Sequence, residues 1–238
     1  MELPDINAQL SRRTVVASAD MEWEPSPSGT VWRKPLFRQG GEYGPVTSIV
    51  RYDAGGAFRA HTHPQGEEIL VLEGVFADDH GQYPAGTYLL NPDGSSHAPA
   101  SPEGCTLLVR LRQYAGADRV QLVVDSTSMT WQPDLPAGTW IKPLYRQHGY
   151  PENMALVKWE PGAELRRHVH FGGEEVLVLD GGFQDEHGHY PKGTWIRMPQ
   201  GSAHRPFTRE GCTLYVRVGG LMGGETRQES SEASFQPG

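Results

Sequence analysis

Eight residues stand out for the chemistry their types and spacing allow. His61, His63, Glu67 and His97 form one set, and His168, His170, Glu174 and His204 form a second, displaced by 107 positions throughout. Three imidazoles and one carboxylate suit a single divalent transition ion and leave coordination positions open for another molecule. Each set therefore predicts one metal centre, giving two per chain, filled by Fe, Mn, Ni or Zn; the donor types do not choose among these. Six of the ten histidines fall on these positions, which the bland interpretation of histidine as a surface or packing residue does not explain. Each ligating His has to be neutral, with its second ring nitrogen held by an outer-shell acceptor that the sequence does not name. Glu67 and Glu174 have two roles open to them, as permanent ligands or as carboxylates that detach and act as general base.

The elements that must position these groups are short strands. His61 and His63 are two residues apart, so on a strand both project from one face and can converge on one ion. Glu67 follows the turn Pro64-Gln65-Gly66, and His97 comes from a separate hairpin after Asn91-Pro92-Asp93-Gly94. Strands are predicted at Thr47–Tyr52, Glu68–Leu72, Thr87–Leu90 and Cys105–Leu111, with Glu73-Gly74 as a turn. Many short strands among 29 Gly and 19 Pro predict an all-β protein of sandwich or small-barrel type.

The motifs lie inside a longer repeat. Residues 61–110 and 168–217 are identical at 29 of 50 positions without a gap. Upstream the offset becomes 108, where Trp32 to Gln39 matches Trp140 to Gln147 and Met21-Glu22-Trp23 matches Met129-Thr130-Trp131. Two tandem domains follow, 1–118 and 119–238, with a partly ordered tail from Gly219. The net charge of −8 and the dispersed Lys and Arg argue against nucleic acid and anionic membranes as partners. The apolar stretches are strand-sized and no export signal is visible, so a cytoplasmic protein is expected. Cys105 and Cys212 occupy equivalent places in different repeats and should not pair, in keeping with a reducing compartment.

The full spacing reads Gly55, His61, His63, Glu67, Gly74, then Gly86, Pro92, Gly94, His97, and it recurs from Gly162 to His204. This resembles the two motifs of the cupin superfamily, departing only where Ser101 and Thr208 replace a frequent Asn. The run His-Thr-His-Pro-Gln-Gly-Glu-Glu and the very short connection from Phe76 to Thr87 are similar to the cupin domain of ChrR-type anti-sigma factors. That resemblance implies two tandem cupin barrels, double-stranded β-helices of jelly-roll type, each with a metal inside. It also implies two activities. One is a non-haem metal dioxygenase, an oxidoreductase acting on a small diketone or hydroxyketone, for which Fe or Mn is the expected ion. The other is a regulatory or sensor module. ChrR-like regulators grip their sigma factor with a separate zinc-binding helical domain that is not visible here, so a small-molecule ligand is expected and a sigma factor is not. A homodimer and a monomer are equally compatible with a duplicated chain, and a metal that only braces the fold is a third alternative.

Several repeated residues have blander interpretations. Glu68 and Glu175 are expected to face solvent or form surface salt bridges, and Arg110 and Arg217 to lie on a solvated strand face. His80 and His187 read as hairpin-turn residues, and the two cysteines as buried, unreactive thiols. The tryptophans read as packing residues. The shared Lys-Pro-Leu-aromatic-Arg-Gln run suggests an interface or a segment crossing the barrel mouth.

Overall fold

The computed structural model describes residues 3–221, and residues 222–238 of the expected tail lie outside them. The chain forms two compact units, Met1–Ala8 with Asp20–Met129, and Gln9–Ala19 with Thr130–Gly238. This differs from a plain division at residue 118. The strand Thr14–Ala17 pairs with Thr194–Met198 in the second unit, and Leu122–Asp125, its counterpart 108 residues on, pairs with Thr87–Asn91 in the first. Ser18 and Ser126 anchor the two segments alike: each hydroxyl donates to a glycine carbonyl, of Gly193 or Gly86, at 2.6 Å. Both strands cap a sheet edge whose N–H and C=O groups would otherwise be unpaired. Because the two edges come from repeats of one pattern, sequence alone does not say which copy each segment completes.

In the first unit the main antiparallel sheet runs Leu122–Asp125, Thr87–Asn91, Glu67–Asp78, Cys105–Leu111, Val46–Tyr52, Val31–Arg38, Glu24–Pro25. The second unit repeats it as Thr14–Ala17, Thr194–Met198, Glu174–Asp185, Cys212–Val218, Asn153–Trp159, Thr139–Arg146, Gln132–Pro133. The apolar face expected of Cys105, Leu107 and Val109 packs with Val31, Val50, Ile69, Val71, Phe76 and Leu89. Cys212, Leu214 and Val216 do the same with Val176, Val178, Phe183 and Ile196. Both cysteines are buried and free.

Glu67–Asp78 is one twelve-residue strand that continues through Glu73-Gly74, where a turn was expected. Gly74 sits at φ 72°, and a β-carbon there would lie 2.2 Å from the carbonyl oxygen of Gly104. The ladder with Cys105–Leu111 shifts register beside it, between Thr106 and Leu107, so the glycine serves a bulge that bends the strand rather than ending it. Gly181 does the same in the second unit, at φ 63° and 2.1 Å from the Gly211 oxygen. Beyond each bend the strand pairs with a new neighbour, Gly81–Pro84 or Gly188–Pro191. One strand thus delivers Glu67 at its start and Asp78 at its end to the two ring nitrogens of His97.

Two expectations about charge are corrected. Arg110 and Arg217 are 0% and 2% exposed, and Glu68 and Glu175 are 2% and 1% exposed. Arg110 Nη1 donates to Glu68 Oε2 at 3.1 Å, and the Tyr114 hydroxyl donates to the same oxygen. In the central strands successive residues on both faces are buried, so strand alternation there does not separate core from solvent. Removing one member of such a buried pair costs about 3–5 kcal/mol, because the other charge is stranded.

The Lys-Pro-Leu run lies on the strands Val31–Arg38 and Thr139–Arg146. Lys34 Nζ lies 4.6 Å from the Trp23 ring centre and Lys142 Nζ 4.7 Å from that of Trp131. These cation–π contacts within each unit account for the paired recurrence of Lys and Trp.

Candidate metal centres

His61–Thr62 pairs with Ser96–His97, and His168–Val169 pairs with Ala203–His204, so each short two-stranded ladder sets two ligands opposite each other. His61, His63 and His97 each offer a ring nitrogen, and these atoms lie within 4.8 Å of one another; His168, His170 and His204 form an equivalent group. His63, His97, His170 and His204 are buried, whereas His61 is exposed and His168 half-buried. Each cluster is therefore closed on one side and open on the other.

Glu67 joins the first cluster, with Oε2 3.5 Å from Nε2 of both His63 and His97. Glu174 joins the second, with Oε2 3.5 Å from Nδ1 of His170. All eight predicted residues therefore gather as two groups of four. Nε2 of His63, His97 and His170 is buried without a hydrogen-bond partner. Buried nitrogens left without a hydrogen bond beside two further imidazoles and a carboxylate are costly unless an ion completes them, so the donor set fits a transition metal.

The missing outer-shell acceptors are Asp78 and Asp185. Asp78 Oδ2 lies 3.0 Å from His97 Nδ1, and Asp185 Oδ2 lies 3.0 Å from His204 Nδ1. The other oxygen, Oδ1, ties down the hairpin turn, accepting from His80 N at 2.8 Å and the Tyr83 hydroxyl at 3.0 Å in the first unit. His187 N and the Tyr190 hydroxyl take these places in the second, at 2.8 and 2.6 Å. His61 and His168 turn Nδ1 to the backbone oxygens of Arg59 and Arg166, at 2.8 and 3.1 Å. Donation from Nδ1 leaves Nε2 as the lone-pair nitrogen, so these contacts select the tautomer a metal needs. The recurrence of Asp78 and Tyr83 as Asp185 and Tyr190 was the available signal, and the turn interpretation absorbed it. His80 does lie in an exposed turn.

The two centres differ electrostatically. Burial pushes the Glu67 carboxyl up to about 8, against a 3.0 Å hydrogen bond donated by Asn91 Nδ2. Burial likewise drives His63 down to about 3, helped by the charges of His97, His61 and Arg112. In the second centre desolvation acts on His170 and Glu174 too, but their mutual attraction outweighs it, so His170 is raised and Glu174 lowered. Without a cation, burial favours the neutral forms of Glu67 and His63 in the first cluster, whereas in the second the attraction between His170 and Glu174 favours their charged forms. Arg13 adds a further charge to the second unit, reaching Asp185 at 3.4 Å and the Tyr190 hydroxyl. The corresponding residue of the other repeat is Gln121.

Residues 11–115 and 119–222 each match the family described as the ChrR cupin-like domain. The chain belongs to the ChrR cupin-like family, twice over. Solved structures share this bicupin fold. A Nostoc punctiforme protein described as a candidate dioxygenase superimposes with a TM-score of 0.74, covering 94% of this chain and 85% of its own at 17% identity. YlbA of E. coli gives 0.70 over 93% and 96% at 14% identity. The E. coli pirin YhhW, solved in complex with nickel(II), gives 0.63 over 87% and 99% at 16% identity. At such identities the likeness is one of fold. No curated protein matches the sequence. Among the described residues no helix is long and apolar enough to cross a membrane.

Proposed function

We propose that this bicupin is a metal-dependent oxidoreductase of dioxygenase type, acting on a small diketone or hydroxyketone. The observation that carries the proposal is the one-sided burial of each three-His/one-Glu cluster. The three imidazoles and the carboxylate of each cluster would hold the ion, and the exposed His61 and half-buried His168 mark the side from which a small molecule can approach. A divalent ion held by these residues, iron or manganese by preference, would supply Lewis acidity for a dicarbonyl or hydroxyketone. The chain's own part is to exclude water from the inner side, to hold the imidazoles through Asp78 and Asp185, and to offer Glu67 or Glu174 as the acceptor of a substrate proton. The fold shared with a candidate dioxygenase supports the proposal.

The test is oxygen uptake by iron-loaded protein, with iron content verified, across β-diketones and hydroxyacetophenones. Uptake is expected with at least one compound and should fall in His63→Ala or His170→Ala. Silence across the panel at full iron occupancy would count against an oxygenase. It would favour the second reading, a small-molecule or metal sensor, which the ChrR-like family match supports.

A further inference from the structure

The two centres share their ligands but not the residue that faces the ligating glutamate. In the antiparallel register Glu67 stands opposite Asn91, and Glu174 stands opposite Met198. Asn91 is 6% exposed and Met198 2%. The Asn91 amide donates to Glu67 Oε2, the oxygen that also faces the unpartnered Nε2 atoms of His63 and His97. One lone pair of that oxygen is occupied by Asn91, which fixes the carboxylate's rotation and leaves the other lone pair for an ion. Met198 has no N–H to give. It packs in the apolar cluster of its unit, and Glu174 instead meets His170 Nδ1.

We propose that Asn91 is a positioning residue that makes the first centre the tighter metal site, and that Met198 leaves the second centre the weaker one. The physical basis is preorganisation. A carboxylate already aimed at the ion loses less rotational freedom on binding, and a donor on its oxygen stabilises the anionic form that the metal requires. Glu174 has Met198 opposite it instead of an amide donor and faces His170 Nδ1, a contact that competes with the ion for the carboxylate. The inference rests on both clusters being metal centres, and the experiment separates the two claims.

Full-length apoprotein is titrated with Co2+, followed by its visible absorption, in two backgrounds. His170→Ala leaves only the first centre and His63→Ala leaves only the second. The first centre is expected to bind cobalt about 10–100-fold more tightly, the range seen when an outer-shell partner is lost. Asn91→Met in the His170→Ala background should remove that advantage and shift the cobalt spectrum toward fewer ligands as Glu67 is released. Met198→Asn in the His63→Ala background should tighten the second centre by a similar factor. Equal affinities in the two backgrounds, or a Met198→Asn protein no tighter than its parent, would overturn the inference while leaving two metal centres standing. If Asn91→Met does not fold, the Met198→Asn comparison decides alone. Failure of the wild-type chain to take up any cobalt would defeat the inference together with the metal-centre reading beneath it.

Discussion

The first and second centres were built from one plan and now solve the same problem differently. In the first, Glu67 is buried, pushed up to about 8 and steadied by Asn91, beside a His63 driven down to about 3. In the second, Glu174 and His170 answer each other's charge, and Arg13 reinforces Asp185. Burial in the first opposes the charged carboxylate that a metal requires, whereas a metal entering the second competes with His170 for Glu174. The lesson is that the spacing of ligands and the Asp78 and Asp185 supports survived duplication, whereas Asn91 against Met198 and Gln121 against Arg13 did not. Metal identity and affinity are tuned by that outer layer, so equivalence of ligands does not imply equivalence of centres.

The largest expected effect tests whether the centres are independent. His63→Ala and His170→Ala should each lower bound metal from two equivalents per chain to one, as read by elemental analysis. Loss of both equivalents from either substitution would show that the centres are coupled. The bulge glycines should behave alike in both units, in contrast with the metal sites. Gly74→Ala and Gly181→Ala place a β-carbon 2.2 and 2.1 Å from a backbone oxygen at positive φ. Each should destabilise by about 2 kcal/mol or more in denaturant unfolding, and a near-neutral result would mean that the bend is not held by these contacts.

A smaller effect separates the outer shells. Arg13→Ala should weaken metal binding in the second centre alone, by roughly 0.2–1 kcal/mol, since the arginine is partly exposed and screened. A matching loss in the first centre would break the assignment of Arg13 to Asp185. The smallest expected effect is a null. Burial pushes the Cys212 thiol up to about 12 and raises Cys105 as well. Both should be inert to a thiol-reactive disulfide at pH 8 in the native protein and react together on denaturation. Fast labelling of one thiol in the native state would reveal an opening that the two units do not share.

Much of the molecule is legible in the chain because its signals are local. Period-two spacing placed His61 and His63 on one face. The turn at Asn91-Pro92-Asp93-Gly94 brought His97 round, and the alternation after Cys105 marked a core strand. What was lost depended on distant neighbours. Arg110 and Glu68 read as solvated because alternation marks two faces without saying whether the second is wet. Asp78 lies beside the turn assigned to His80, where its Oδ1 serves the turn, and nothing local says that Oδ2 serves His97 nineteen positions later. The Gly74 bend, too, depends on the close approach of Gly104.

By itself, therefore, the sequence determined the all-β class, the duplication and the eight candidate ligands, since each follows from side-chain type and strand period. Only the tertiary structure decided which repeat each edge strand completes, which carboxylates hold the imidazoles, and that Asn91 stands over Glu67 where Met198 stands over Glu174. Those outcomes rest on contacts between residues far apart in the chain, whose energies depend on burial and on the partner that arrives, and neither quantity is written in any one segment.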